Sequence, residues 1–123
     1  MGLNELRDQV HALARAKGWY EGRDVSDPNV LGSMLALIHS EVSEALEDVR
    51  RGHIALRVEG GRDWYPADEA RAAKPCGLPS ELADVIIRVL DMCGALGIDI
   101  EEAVRVKHAF NETRSHRHGG KTL

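Results

Sequence analysis

Four acidic residues recur in two pairs whose spacing suits the binding of a divalent cation. Glu41 and Glu44 form the first pair and Glu81 and Asp84 the second, each separated by three positions. On a helix this spacing places both carboxylates of a pair on one face, with Cβ atoms only ~5–6 Å apart. Hard carboxylate oxygens select Mg²⁺ or Mn²⁺ over softer metals. The pairs therefore predict a metal site, provided that their helices pack together.

Convergence of the two pairs without a cation would be costly. Two anions about 4 Å apart near a protein surface repel by ~4 kcal/mol. A solvated acidic helix face is the alternative, and it is the ordinary explanation for any single pair. A site is favoured because both pairs border strongly apolar helix faces. Glu47 and Asp48, on the adjacent turn, are candidate general bases for a water molecule, although residues of this kind most often point to solvent.

The sequence lacks the motifs of several other site types, and their absence excludes those sites. The chain has no Glu-x-x-His pair of a di-iron bundle and no Cys-x-x-Cys pair of a structural zinc site. Gly60-Gly61 is not followed by the Lys-Ser/Thr of a P-loop, and no Gly-x-Ser-x-Gly motif is present. A phosphate group would therefore have to be held by metal and by cationic side chains.

A basic segment near the C-terminus supplies such cations. Residues 105–123 carry a net charge of +4, whereas the other 104 residues carry −8. Lys and Arg side chains suit phosphate oxygens, and the Asn111 amide suits a sugar or base edge. A basic C-terminus that only favours the helix dipole is the alternative. The candidate substrate-binding residues are Lys107, Asn111, Arg114, Arg117, His118 and Lys121, together with Trp19, which follows the first helix.

The elements that position these residues are predicted to be helices. Apolar residues recur at three- and four-residue steps, which predicts helices over about 4–17, from Asp27-Pro28 to Gly52, from Pro79-Ser80 to Gly94 and Gly97, and from Asp99 onward. Residues 53–77 are predicted as a loop or insertion with at most a short strand pair around 54–58. Residues 115–123 are predicted as a flexible basic tail. We expect an all-α, four-helix bundle-like architecture.

Length and composition narrow the class of protein. With 123 residues, 43% hydrophobic and 29% charged, the chain is expected to form a single globular domain over 1–123. No membrane span, secretory signal or typical nucleic-acid-binding face is visible, and Cys76 and Cys93 are expected to be reduced thiols of a cytoplasmic protein. Because only five aromatic residues serve four amphipathic helices, a second copy is expected to complete the core.

The acidic pairs and the C-terminal segment together resemble the MazG-like nucleotide pyrophosphohydrolases of the all-α NTP pyrophosphatase superfamily. The matching stretches are LIHSEVSEALEDVR, GLPSELADVIIRVLD and KHAFNETRSHRHGGK. The resemblance covers roughly residues 4–52 and 74–121, whereas residues 53–73 have no counterpart in it. That insertion is therefore the segment expected to alter a substrate pocket.

The resemblance implies Mg²⁺-dependent hydrolysis of a (deoxy)nucleoside triphosphate to the monophosphate and pyrophosphate. It implies a role in clearing unwanted nucleotides from the pool, and Mn²⁺ is expected to be able to replace Mg²⁺. A phosphoribosyl-ATP pyrophosphatase-like enzyme is one alternative. A non-catalytic nucleotide-sensing or partner-binding helical protein is another. The base, the sugar, the number of metal ions and the attacked phosphorus are left open.

The resemblance also assigns roles to particular residues. It implies that Glu41, Glu44, Glu81 and Asp84 are the catalytic metal ligands, and that the particle is a homodimer or a dimer of dimers. It places Trp19 in a base pocket, although Trp19 could equally close the end of its helix. Asp91 is predicted to make a salt bridge on a helix surface. His39 is predicted to lie at an interface, with support of the acidic pairs as the alternative.

Overall fold

Three long helices organise the structure, and the last of them in sequence packs against the other two. The structure, a computed structural model, describes residues 1–114. Its elements in chain order are α1 (Leu3–Ala16), α2 (Pro28–Arg50), β1 (Arg57–Val58), α3 (Pro66–Ala70), β2 (Pro75–Cys76), α4 (Leu78–Leu96) and α5 (Ile100–Glu112). Helix α4 packs extensively against both α1 and α2, which contact each other little, and α5 packs on α1. The prediction of an all-α fold is confirmed.

The helix ends follow local capping chemistry. The Asp27 side chain caps α2 by accepting the backbone N–H of Asn29 at 2.9 Å, and Pro28 occupies the first helical position. Asp99 caps α5 by accepting the backbone N–H of Glu102 at 3.0 Å. The Glu102 side chain pairs with Arg105 at 2.9 Å. These starts agree with the sequence prediction because a cap depends only on residues two or three positions away.

The prediction that Gly94 ends the third long helix is wrong. Helix α4 continues to Leu96 and ends at Gly97, whose φ of 66° is left-handed. Gly94 lies inside the helix at the contact with α1, where an added Cβ would come within 2.5 Å of the His11 Cβ. The absent side chain therefore allows close packing of two helices, a role that the sequence alone does not separate from a helix stop.

The segment between α2 and α4 has more structure than the predicted loop. Strand β1 pairs antiparallel with β2, with Arg57 opposite Cys76. The five-residue helix α3 was not predicted, because it is too short to show helical periodicity. Gly77, with a φ of 92°, lies so near the carbonyl oxygen of Ala55 that a side chain there would collide with it. This close approach holds the insertion against the first turn of α4.

An ion pair between the exposed Arg62 and the buried Asp68 holds the insertion together. The Asp68 side chain is almost fully buried and accepts hydrogen bonds from the Arg62 guanidinium and, at 2.7 Å, from the backbone N–H of Tyr65. These bonds favour the ionised carboxylate and lower the pKa of Asp68 from 3.8 to about 2. A depressed carboxyl pKa contributes stability above the unfolded-state value, and this contribution is lost as pH falls through the folded-state value.

We therefore expect acid to open the insertion. In a Trp19→Phe variant the remaining tryptophan is Trp64, which lies in the insertion, so its fluorescence should change as pH falls from about 4 to about 2. Asp63→Asn, an exposed neighbour, is the matched control and should keep this transition. The transition should disappear in Asp68→Asn, and an unchanged acid midpoint in that variant would contradict the assignment.

Part of the apolar stripe predicted for α2 is not covered by the chain. Met34 and Ala45 are buried, whereas Leu35, Val42, Leu46 and Val49 are each about half exposed. These four residues follow one another at helical spacing and form one continuous stripe, which we call the α2 stripe. Val106 and Phe110 leave comparable apolar surface exposed on α5. The described chain therefore buries only one side of the predicted apolar face.

Two further predictions concern membrane spans and the state of the two cysteines. No helix within residues 1–114 combines the length and the apolar character needed to cross a bilayer. Cys76 and Cys93 are both free. Burial raises the pKa of the Cys93 thiol, which disfavours its reactive thiolate form.

Candidate metal centre

Carboxylates from α2 and α4 meet where the two helices cross. One oxygen atom from each of Glu41, Glu81 and Asp84 lies within 4.8 Å of the other two. The helices run antiparallel here, since Glu41 contacts Arg88 near the middle of α4 while the charge of Asp48 acts on Glu81 near its start. Three of the four predicted ligands are therefore brought together, and Glu41 lies 40 or more positions away from the other two in sequence.

The fourth predicted ligand, Glu44, lies one turn further along α2. Its side chain is exposed, and it is not one of the three whose oxygens converge. Its negative charge still contributes to the raised pKa of Glu81, which places it in the same field. Its role as a ligand stays a prediction.

The cluster carries more negative charge than its partner Arg88 offsets. Burial raises the pKa of Glu81, and the charges of Asp84, Asp48 and Glu41 raise it further. Burial also raises the pKa of Asp84, with a contribution from Glu41, and the Arg88 cation opposes this shift. Both carboxyls therefore resist ionisation in the metal-free protein. A divalent cation at this position would supply the missing positive charge.

Arg88 is a site residue that the sequence reasoning missed. Its Nε donates to Glu41 Oε1 at 2.7 Å, and both side chains are partly buried. Arg88 follows Asp84 by four positions on α4, so it lies on the same helix face. That spacing was a signal, but an acid–base pair at i and i+4 is common on solvated helices. Here the arginine pairs across to α2 and fixes the orientation of Glu41.

Asp48 is buried, whereas an acid at its position on the helix was expected to point to solvent. The residue is 9% exposed, and its Oδ2 has no hydrogen-bond partner among the described residues. His53 is its nearest basic neighbour, with Nδ1 3.7 Å from Asp48 Oδ1, which is longer than a hydrogen bond. Glu47, the other candidate base, points away and pairs with Arg50 at 2.8 Å. An unpartnered buried carboxylate oxygen beside an acidic cluster is costly unless a ligand or water satisfies it.

The candidate substrate-binding residues are spread over the molecule. Lys107 lies beside Phe110 on α5, with Nζ 5.2 Å from the ring centroid, and Asn111 and Arg114 are exposed. Within one chain, Glu81 is separated from the end of α4, and hence from α5, by about 22 Å of helix. The structure therefore does not bring the α5 residues to the cluster. Arg117, His118 and Lys121, with the rest of the predicted tail, lie outside the described residues.

The predictions for Asp91, His39 and Trp19 have different outcomes. The predicted surface salt bridge of Asp91 is wrong: its partly buried carboxylate accepts from His11 Nδ1 at 2.9 Å and from the Tyr20 hydroxyl at 2.7 Å. His39 is exposed, so its predicted roles stay predictions. Trp19 is half exposed and lines a cavity together with Arg88 and Asp91 of α4. The sequence missed the partners of Asp91 because they lie 71 and 80 positions away.

We expect Mg²⁺ to stabilise the protein and to change how its stability depends on pH. Raised carboxyl pKa values mean that the metal-free fold gains stability as pH falls from neutral through the folded-state values of Glu81 and Asp84. Bound Mg²⁺ stabilises the folded state by RT ln(1 + [L]/Kd), where [L] is the concentration of free Mg²⁺. This stabilisation is largest at neutral pH, where the carboxylates are ionised.

Calorimetric scans between pH 5 and pH 8, with and without millimolar Mg²⁺, measure this difference. Potassium chloride at equal ionic strength is the control for simple screening. Identical melting curves with Mg²⁺ and with potassium chloride at every pH would contradict the assignment of a metal centre.

Comparison with known proteins gives one local likeness. Over 37 residues, 30% of this chain, the sequence is 51% identical to a dATP/dGTP diphosphohydrolase of Cyanophage S-2L. The matched stretch covers 35% of that relative, so about a third of its length. No protein-family model and no solved structure matches the chain. The likeness supports kinship with nucleotide pyrophosphohydrolases over a short stretch of sequence.

Proposed function

We propose that this protein hydrolyses a (deoxy)nucleoside triphosphate to the monophosphate and pyrophosphate with Mg²⁺, and so removes unwanted nucleotides from the pool. The observation that carries the proposal is the convergence of Glu41, Glu81 and Asp84, whose oxygens approach within 4.8 Å although α2 and α4 are far apart in sequence. Repelling carboxylates held this close favour a bound divalent cation. A triphosphate is the biological anion that most commonly accompanies Mg²⁺ in such a site.

The donor set fits Mg²⁺. Carboxylate oxygens are the ligands that this ion prefers, and the described cluster offers neither sulfur nor imidazole within its three-residue core. Glu41, Glu81 and Asp84 would hold the ion, with Glu44 as a further ligand one turn away. Mn²⁺ is expected to substitute because it accepts the same oxygen donors. Bound there, the ion would neutralise triphosphate charge and lower the pKa of a coordinated water.

The surrounding side chains have separate tasks in this proposal. Arg88 orients Glu41 through its 2.7 Å hydrogen bond and leaves Glu41 Oε2 available. The Asp48 carboxylate, buried with Oδ2 unpartnered, is suited to accept the proton of an attacking water. Lys107, Asn111 and Arg114 lie away from the cluster within one chain, so they are proposed, with the basic tail residues, to hold phosphate oxygens only where a second copy brings them to the site. No nucleophile from the protein is required, because water attacks phosphorus directly.

The local likeness to a dATP/dGTP diphosphohydrolase favours a purine deoxynucleoside triphosphate as the substrate. The deciding experiment incubates the protein with the common NTPs and dNTPs plus Mg²⁺ in H₂¹⁸O and identifies the products by mass. Monophosphate and pyrophosphate are expected. The position of the ¹⁸O label tells which phosphorus was attacked. Release of inorganic phosphate and a diphosphate, or no turnover with any of the nucleotides, would overturn the proposal.

A second copy of the chain is proposed to cover the α2 stripe. Four half-exposed apolar residues at helical spacing on α2 form too large an apolar surface for an isolated small domain. An isologous contact between two copies would turn α2 and α4 of each chain into a four-helix bundle. The homodimer or dimer of dimers implied by the resemblance is consistent with this arrangement.

We expect Leu46→Lys to dissociate the oligomer, because it places a charge at the centre of the α2 stripe. Sedimentation velocity should report a shift from the oligomeric to the monomeric mass. Ser43→Lys, at an exposed position off the stripe, is the matched control and should keep the wild-type mass. A wild-type protein that sediments as a monomer at high micromolar concentration would exclude this interface.

A further inference from the structure

A cavity of about 270 Å³ lies alongside the acidic cluster, between the loop after α1 and the middle of α2 and α4. Arg88 belongs to both places, since it lines the cavity and also donates to Glu41. The lining residues are Trp19, Arg23, Met34, Leu37, Arg88 and Asp91. The cavity therefore combines an apolar side with two cations and one anion.

The apolar side of the cavity suits a flat ring. Met34 is buried and forms part of the floor with Leu37, while the Trp19 ring is about half exposed at the edge. An exposed indole beside an apolar floor is a surface on which a planar heterocycle can stack.

The polar side of the cavity contains an anchored carboxylate. The Asp91 oxygens accept from His11 at 2.9 Å and from the Tyr20 hydroxyl at 2.7 Å, and the two aromatic rings meet edge to face at 4.8 Å. Burial and the hydrogen bond to Asp91 raise the pKa of Tyr20, so its hydroxyl remains a donor. Each carboxylate oxygen keeps a second lone pair. Asp91 is thus fixed in position and able to accept further hydrogen bonds from a ligand in the cavity.

The distance from the cluster to the cavity fits a nucleotide. Asp91 follows Asp84 by seven residues on α4, and Met34 precedes Glu41 by seven on α2. Seven residues correspond to about 10 Å along a helix axis. This is comparable to the span of a nucleotide from its α-phosphate to the hydrogen-bonding edge of its base. Phosphates at the cluster would therefore place the base in the cavity.

We propose that Asp91 determines base specificity and selects guanine. Guanine presents two adjacent donors, N1–H and the N2 amino group, which match the two oxygens of a carboxylate, and its O6 accepts from a guanidinium such as Arg23 or Arg88. Adenine and cytosine offer one amino donor beside a ring-nitrogen acceptor, and thymine and uracil place carbonyl oxygens on both sides of a single N–H. In each of these four bases an acceptor atom would face the Asp91 carboxylate, and the two would repel each other. The inference rests on the proposed function for the location of the phosphates.

Binding of the monophosphate tests the cavity without any turnover. Trp64→Phe leaves Trp19 as the remaining tryptophan, so its fluorescence reports on the cavity. In EDTA, dGMP should quench Trp19, and both dAMP and dTMP should bind at least about 10-fold more weakly because the paired bonds to Asp91 are lost. Asp91→Asn should weaken dGMP binding about 10- to 100-fold. Asp8→Asn, an exposed carboxylate on α1, is the matched control and should bind like the parent.

A second variant separates recognition from folding. Asp91→Asn keeps one acceptor oxygen and replaces the other by an amide donor, so either His11 or Tyr20 loses its acceptor, and the far-UV circular dichroism and melting temperature of the variant are measured first. Tyr20→Phe keeps the carboxylate but removes one of its two anchoring donors, and it should weaken dGMP binding less than Asp91→Asn while leaving dTMP binding unchanged. Equal dGMP affinity in the parent, Asp91→Asn and Tyr20→Phe proteins would overturn the proposal.

Failure of this inference is distinguishable from failure of the proposed hydrolysis. Selective quenching by dGMP in a protein without turnover would keep the base cavity and reject the hydrolytic function. Turnover of dGTP and dTTP with similar kcat/KM, unchanged in Asp91→Asn, would keep the function and reject Asp91 as the specificity residue. The supporting result is a dGTP over dTTP preference that falls by about 10- to 100-fold in Asp91→Asn.

Discussion

Asp84→Asn should lose about 10³-fold or more in kcat and, at the same time, raise the melting temperature of the metal-free protein. The activity falls because the variant removes a carboxylate from the cluster that is proposed to hold Mg²⁺. The stability rises because Asp84 is ionised against its environment: burial and the Glu41 charge raise its pKa. Removing that charge relieves the repulsion in the absence of a cation.

Two measurements on the same variant check this prediction. Steady-state kinetics with Mg²⁺ gives kcat, and calorimetry in EDTA gives the melting temperature. Asp8→Asn carries the same change of charge at an exposed position on α1, and it should alter neither. A variant that loses activity and also melts lower in EDTA would indicate that Asp84 supports the fold rather than a metal ion.

Asp48→Asn should lower kcat by about 10²-fold or more while leaving the affinity for Mg²⁺ nearly unchanged. The reason is that Asp48, whose buried Oδ2 is unpartnered in the described chain, is proposed to accept a proton and is not one of the three residues whose oxygens converge. Asparagine keeps the shape of the side chain but cannot take up the proton. Mg²⁺ titrations followed calorimetrically separate this effect from loss of the ion.

Glu47→Gln is the matched control for Asp48→Asn. It lies one position earlier on α2, and its side chain pairs with Arg50 on the outer surface. Its kcat should stay within about twofold of the wild-type value, as expected for a solvated surface pair. Equal losses of Mg²⁺ affinity in Asp48→Asn and Asp84→Asn would instead make Asp48 a ligand and leave the proton acceptor unassigned.

The helices and the acidic pairs could be predicted from the sequence because both depend on short spacings. A helix repeats every 3.6 residues, so apolar stripes and pairs such as Glu81 and Asp84 are visible in local sequence. Caps such as Asp27 and Asp99 act within three residues, and the structure has both. The short helix α3 is too brief for such periodicity, and it was missed for that reason.

Which side chains meet depends instead on the packing of the helices. Local spacing places a residue on a helix face, but the partner of that face depends on how helices distant in sequence pack. Packing of α2 against α4 joins Arg88 to Glu41 across 47 positions and buries Asp48 instead of exposing it. Packing of α1 against α4 turns Asp91 from a predicted surface residue into the acceptor of His11 and Tyr20. These contacts arise from burial and close approach between elements, which no local periodicity encodes.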